Sequence, residues 1–100
     1  MTAVRLAQKA AEREAAGTPE TLADIIARTR YAAAWKLEQA RKCRAEAEGF
    51  RKLATVEEYT LQQREDALVA AAACAGEARI HEDTARTLDS IADALVYVVG

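Results

Sequence analysis

His81 is the single histidine of this 100-residue chain. Glu77 precedes it by one helical turn, and Glu82 and Asp83 follow it directly. On a helix such a group could ligate a metal ion, because imidazole and carboxylate are the usual ligands of zinc and of carboxylate-bridged sites in bundles. Those bundle sites require Glu-x-x-His, however, and Ala78 holds the position three before His81. Cys43 and Cys74 form no close motif and read as small apolar side chains in helical stripes. A lone histidine without a nucleophile at identifiable spacing, and without a glycine-rich phosphate loop, gives no basis for nucleophilic or phosphoryl chemistry. The expectation is a chain that is not an enzyme and carries no cofactor and no metal.

Two other charged groupings suggest binding. Residues 1–52 hold 11 basic and 7 acidic side chains, whereas residues 53–100 hold 3 and 9. The basic cluster Lys36, Arg41, Lys42, Arg44, Arg51 and Lys52 could meet a nucleic-acid backbone. No aromatic residues are interleaved with it for base stacking, so nucleic acid ranks as the alternative partner. The acidic groups Glu57-Glu58, Glu65-Asp66, Glu82-Asp83 and Asp89/Asp93 suggest a metal-dependent nucleotide hydrolase as a third reading. Ile91-Ala92-Asp93-Ala94-Leu95-Val96-Tyr97 resembles the last metal-binding helix of the all-helical nucleotide pyrophosphohydrolases. Ser90 stands where that family has an acidic residue, and no Glu-Glu-x-x-Glu motif lies upstream.

The elements that would position these groups are helical. Alanine supplies 25 residues, Leu, Ile, Val and Phe together only 19, and there is one proline; this composition favours helix and leaves little for a sheet. A first helix is expected over 2–16, with Ala3, Leu6, Ala7 and Ala10 on one side and Gly17 as its C-cap. Thr18-Pro19-Glu20 has the signature of a helix start. The second helix is therefore expected over 19–53, with a heptad-like stripe of Leu22, Ile26, Thr29, Ala33, Lys36, Ala40, Cys43, Ala47 and Phe50. Thr55-Val56-Glu57-Glu58 reads as a capping box that opens a third helix over 56–75. Gly76 then bends the chain or divides it from a fourth helix over 77–98, whose apolar stripe is Ile80, Thr84, Leu88, Ile91, Leu95 and Val98.

These elements make a single all-α domain over 1–100, dominated by a long antiparallel helical hairpin. With its turn near Ala54, facing residue numbers would sum to about 109 at helical spacing. Trp35 would then meet Cys74 and the alanine run, Arg51 would approach Glu57 and Glu58, and Arg44 would approach Glu65 and Asp66. Ala72 and Ala73 would be packed too tightly to enlarge, and Cys43 and Cys74 would be too far apart to bridge. The Ile80 to Val98 stripe, overhanging the hairpin, would need cover from the first helix or a second subunit. The longest uncharged run has 10 residues, Ala67 to Gly76, too short to span a bilayer. No export signal interrupts the charged start.

Together these features predict a cytoplasmic interaction or assembly module. It would act through Trp35 and the stripe Ile80, Thr84, Leu88, Ile91, Leu95 and Val98 as a homo-oligomer, or on another protein through an apolar helix face. The alanine- and arginine-rich composition suggests a bacterial or phage source, with the virion or host cytoplasm as settings in the latter case.

Overall fold

The structure is a computed structural model that describes residues 3–15 and 21–99. Those residues form three helices and no strand: α1 (Ala3–Ala15), α2 (Leu22–Leu53) and α3 (Leu61–Val99). The protein is all-α, with α2 and α3 packed as an antiparallel hairpin. It divides into two compact units, one formed by Leu37–Glu82 and the other by Met1–Lys36 with Asp83–Gly100.

The helix ends differ from the sequence expectation in three places. Thr18, Pro19 and Glu20 lie outside the described residues, as does Gly17. The cap of α2 is Thr21, whose hydroxyl accepts from the Asp24 amide at 3.2 Å while the Asp24 carboxylate accepts from the Thr21 amide at 3.1 Å. Thr55 does not open a helix. Its hydroxyl donates to the Lys52 carbonyl at the end of α2, and the capping box belongs instead to Thr60 and Gln63, which satisfy each other's amides at 2.9 and 3.1 Å. Gly76, finally, breaks nothing. The two helices expected over 56–75 and 77–98 are the single helix α3, because one glycine costs only about 1 kcal/mol against alanine and the packed face continues through it.

Cross-helix contacts set the register. In the Leu37–Glu82 unit the Cys43 thiol donates to Glu77, and the Cys74 thiol donates reciprocally to Glu46, both at 3.8 Å. In the other unit Arg30 bridges to Asp89 and Asp93. Facing residue numbers thus sum to about 120 rather than 109, a slide of about 16 Å at 1.5 Å per residue. The cause is the turn. Residues 54–60 connect the helices outside regular helix, and Arg64 in the first turn of α3 donates to the carbonyls of Val56 and Glu57 at 3.2 and 3.1 Å. In this register the start of α2 stands level with the end of α3, so the expected overhang of Ile91 to Val98 does not arise.

The core is made of alanine. Among the described residues the buried apolar side chains are Ala27, Ala33, Ala40 and Ala47 on α2 and Ala67, Ala71, Ala78, Ala85 and Ala92 on α3, with no larger one. Apart from Ala27 and Ala67 these recur every seven residues, the repeat that keeps one stripe turned toward a partner helix. The α2 stripe is as the sequence predicts from Ile26 to Phe50, while Leu22 is exposed. On α3 the seam runs instead through Arg64, Ala67, Ala71, Cys74, Ala78, His81, Ala85, Leu88, Ala92 and Leu95, each buried or half-buried. The register stands an alanine level with a bulkier side chain in layer after layer: Ala71 with Phe50, Ala78 with Cys43 and Ala40 with His81 in one unit, Ala85 with Lys36, Ala33 with Leu88 and Ala92 with Thr29 in the other. Such pairing lets backbones approach closely without voids.

Ala27 and the capping Asp24 are buried although they lie about 130° or more from this seam at 100° per residue. The seam with α3 does not account for their burial.

Ala72 and Ala73 are exposed, contrary to the expected register. Ala78→Leu should therefore destabilise the fold by about 1–3 kcal/mol through overpacking, whereas Ala72→Leu should stay within about 0.5 kcal/mol. Gly76→Ala should stabilise by about 0.5–1 kcal/mol, since a Cβ there meets nothing within 4 Å. Urea denaturation followed by helical circular dichroism measures all three, and equal losses for Ala72→Leu and Ala78→Leu would reject this seam.

Candidate interaction surface

Helix geometry divides the residues expected to make contacts. Leu88 and Leu95 are half-buried seam residues. Thr84 and Ile91 stand one position before the seam residues Ala85 and Ala92, and Val98 follows at the same seven-residue spacing on that side of α3, with Ile91 47% and Val98 75% exposed. Trp35 is 45% exposed on the corresponding side of α2, and Cys74, its expected partner, bonds Glu46 instead. Ile80 also belongs to that unit and points away from the seam, 65% exposed. The unit of Met1–Lys36 with Asp83–Gly100 thus holds all of the expected contact residues except Ile80.

The two flanks of the seam in this unit have opposite chemistry. One carries the Arg30 guanidinium with Asp89 at 4.0 Å and Asp93 at 3.0 Å. The other presents Ile25, Ala32 and Trp35 from α2 and Thr84, Thr87, Ile91, Ala94 and Val98 from α3, with Arg28 as the one charged side chain at these positions. In the Leu37–Glu82 unit, Gly49 leaves an open apolar hollow of 410 Å³ lined by Glu46, Gly49, Phe50 and Leu53.

The basic cluster does not form a single face. Lys36 is half-buried in the seam, and Arg41, Lys42, Arg44, Arg51 and Lys52 are distributed around the helix. Arg41 forks onto Glu38, and Arg51 takes Glu48 rather than Glu57 or Glu58. Arg44 forks onto Glu82 rather than Glu65 or Asp66. The Arg41 hydrogen bonds hold the Glu38 carboxyl below its ordinary range, and the carboxylates opposite Arg41 and Arg44 raise both guanidinium groups.

The groups around His81 are likewise engaged. Glu77 accepts from Cys43, Glu82 from Arg44 and Asp83 from Arg86. Asp89 and Asp93, which a hydrolytic metal site would use, face Arg30. Among the described residues no group of three or more His, Cys, Asp and Glu side chains is placed to hold a metal ion. No described helix is long and apolar enough to cross a membrane.

The reciprocal pairs Cys43–Glu77 and Cys74–Glu46 were not legible in the sequence, since their proximity depends on a register that the capping pattern at Thr55 misplaced. Desolvation pushes both thiols above their ordinary value, and the facing carboxylates push them further. Each thiol is therefore held protonated, which disfavours thiolate chemistry.

The chain matches no family model, no curated protein and no solved structure.

The raised thiols make a pH prediction. An acid whose value is higher in the folded state contributes stability below its unfolded value, about 8.5 for a thiol, and loses it as pH rises through the folded value. The melting temperature should fall between pH 8 and pH 10, and the fall should shrink in a Cys43→Ser, Cys74→Ser double variant, which keeps the hydroxyl donors. An identical decline in that variant would show that the thiols do not titrate against folding.

Proposed function

We propose that this chain is a non-enzymatic assembly module that works by self-association through exposed helix faces. The observation that carries this reading is the inversion of side-chain size between core and surface. The buried apolar side chains are alanines, while Ile25, Trp35, Leu61, Val69, Ile80, Ile91, Tyr97 and Val98 are exposed. Burial of a full Leu, Ile, Val or Phe side chain is worth about 1.5–3 kcal/mol, and an alanine methyl much less. The hairpin therefore leaves its largest reserve of burial unused, and closed association of identical chains is a common way to use it. A structural component, an adaptor or an inhibitor fits this behaviour, and the alanine- and arginine-rich composition suits a bacterial or phage cytoplasmic setting.

Nucleic-acid binding ranks second. The ion pairs at Arg41, Arg44 and Arg51 leave a broken positive field. Metal-dependent nucleotide hydrolysis ranks third, because Arg30 engages the carboxylates it would use.

Light scattering on a sizing column, at micromolar and near-millimolar concentration, tests the reading. A species of at least twice 10.8 kDa is expected. A 10.8 kDa monomer at both concentrations would overturn self-association. Retention on DNA or RNA that weakens with salt and with neutralisation of Arg41, Lys42 and Arg44 would favour the second reading.

A further inference from the structure

We propose that Cys43 and Cys74 are a latent disulfide, a cross-helix bridge that staples the Leu37–Glu82 unit when a low-molecular-weight disulfide oxidises it.

The register brings the pair together. Cys43 and Glu46 are three residues apart on α2, Cys74 and Glu77 are three apart on α3, and each thiol donates to the other helix's carboxylate at 3.8 Å. The thiols therefore stand at opposite corners of one four-residue cluster, offset by about 4.5 Å along the axis at 1.5 Å per residue. The register expected from the sequence would have kept them too far apart to bridge. Ala78 and Ala47, level with Cys43 and Cys74, are 0% and 1% exposed, so these layers are closely packed. With helix axes about 8 Å apart and Cα atoms about 2.3 Å from each axis, facing Cα atoms lie about 3.5 Å apart across the seam. Combined with the axial offset this separates the two cysteine Cα atoms by about 6 Å, within the range of roughly 4.4–6.8 Å that disulfides span. Both cysteines are half-buried and the flanking Glu46 and Glu77 are exposed, so a small disulfide can reach the sulfurs.

The same cluster keeps the bridge from forming readily. The attacking species is a thiolate. Burial first, and then Glu77, Glu46 and Cys74, hold the Cys43 thiol protonated; burial first, and then Glu46 and Glu77, hold the Cys74 thiol. The neighbouring cation, Arg44, is turned to Glu82. Once one thiol loses its proton, its sulfur attacks the small disulfide, forms a mixed disulfide and expels one small thiolate. The second protein thiol then loses its proton and attacks the protein sulfur of that mixed disulfide, expelling the other small thiolate. The two protons lost by the protein end on the two small thiols released, and the small disulfide is the species reduced. The bridge takes both donors from Glu46 and Glu77 and fixes the register of this unit covalently.

The test treats the full chain with excess oxidised glutathione at about pH 7 and about pH 9.5, either side of an ordinary thiol value. Intact mass without reductant, free-thiol titration and melting temperature are the readouts. Both thiols should disappear together, the mass of a single chain should fall by two hydrogens, and the rate should be at least about tenfold higher at the higher pH. The oxidised chain should melt about 5 °C or more above the reduced one, and dithiothreitol should reverse the shift. Cys43→Ser should stop at one glutathione adduct. A Glu46→Gln, Glu77→Gln double variant should form the bridge about threefold or more faster at about pH 7. Two glutathione adducts per chain, bridges only between chains, or thiols that persist at both pH values would overturn the proposal. An intrachain bridge that leaves the melting temperature unchanged or lowers it would overturn it too, because that bond would not fit the folded unit. An unchanged rate in the glutamine variant would overturn the latency assigned to the carboxylates.

Discussion

The structure depends on one steric constraint: an alanine stands at nearly every layer of the seam between the two long helices. A methyl group fills so little space that the facing side chain, whether Phe50, Cys43, His81 or Leu88, can lie across it while the backbones remain close. The same constraint limits what the core contributes. Each buried alanine removes a small apolar area from water, and dispersion contacts between closely approaching backbones must supply much of the remaining attraction. A second large side chain in place of the alanine in such a layer would push the helices apart.

The fold class and most of the α2 seam were legible because they rest on signals that survive without tertiary context: helix-forming composition, a four-and-three repeat from Leu22 to Phe50, and punctuation between helices. The register was not legible. Thr55-Val56-Glu57-Glu58 and Thr60-Leu61-Gln62-Gln63 both have the capping-box spacing, and the hydroxyl of Thr55 is drawn instead to the free carbonyl of Lys52. That local competition moves the start of α3 from residue 56 to Leu61 and contributes about half of the slide in register. The α3 seam was missed for a different reason. The eye follows Ile80, Ile91 and Val98, but the seven-residue recurrence of Ala71, Ala78, Ala85 and Ala92 was present in the sequence and marks the closest approach. In an alanine-rich chain the repeat of the small residue is more informative than that of the large ones.

Charges do a different task from burial. The links from Arg30 to Asp89 and Asp93, and from Arg44 to Glu82, lie in reach of solvent, which screens them, so they add little to stability. Their value lies in selecting one register among several that an alanine repeat tolerates nearly equally, since a slide of one heptad keeps alanine against the partner helix but separates these ions. The reciprocal thiol–carboxylate pairs act in the same direction, because the neutral thiol is a donor that fits a carboxylate only when Cys43 and Glu77 stand level.

Alanine packing and charge placement together decide where binding energy remains. The seam cannot be enlarged without losing its close approach, and the Arg30 flank cannot be covered without desolvating its ions. A helical pair built this way presents large side chains outward, and the flank with Trp35 and Ile91 carries one charged residue, Arg28, among apolar and small ones. The two thiols and the guanidinium groups of Arg30, Arg41, Arg44 and Arg51 all hold carboxylates. On the proposed reading, the free energy of association comes from the exposed apolar side chains that the alanine seam leaves outside.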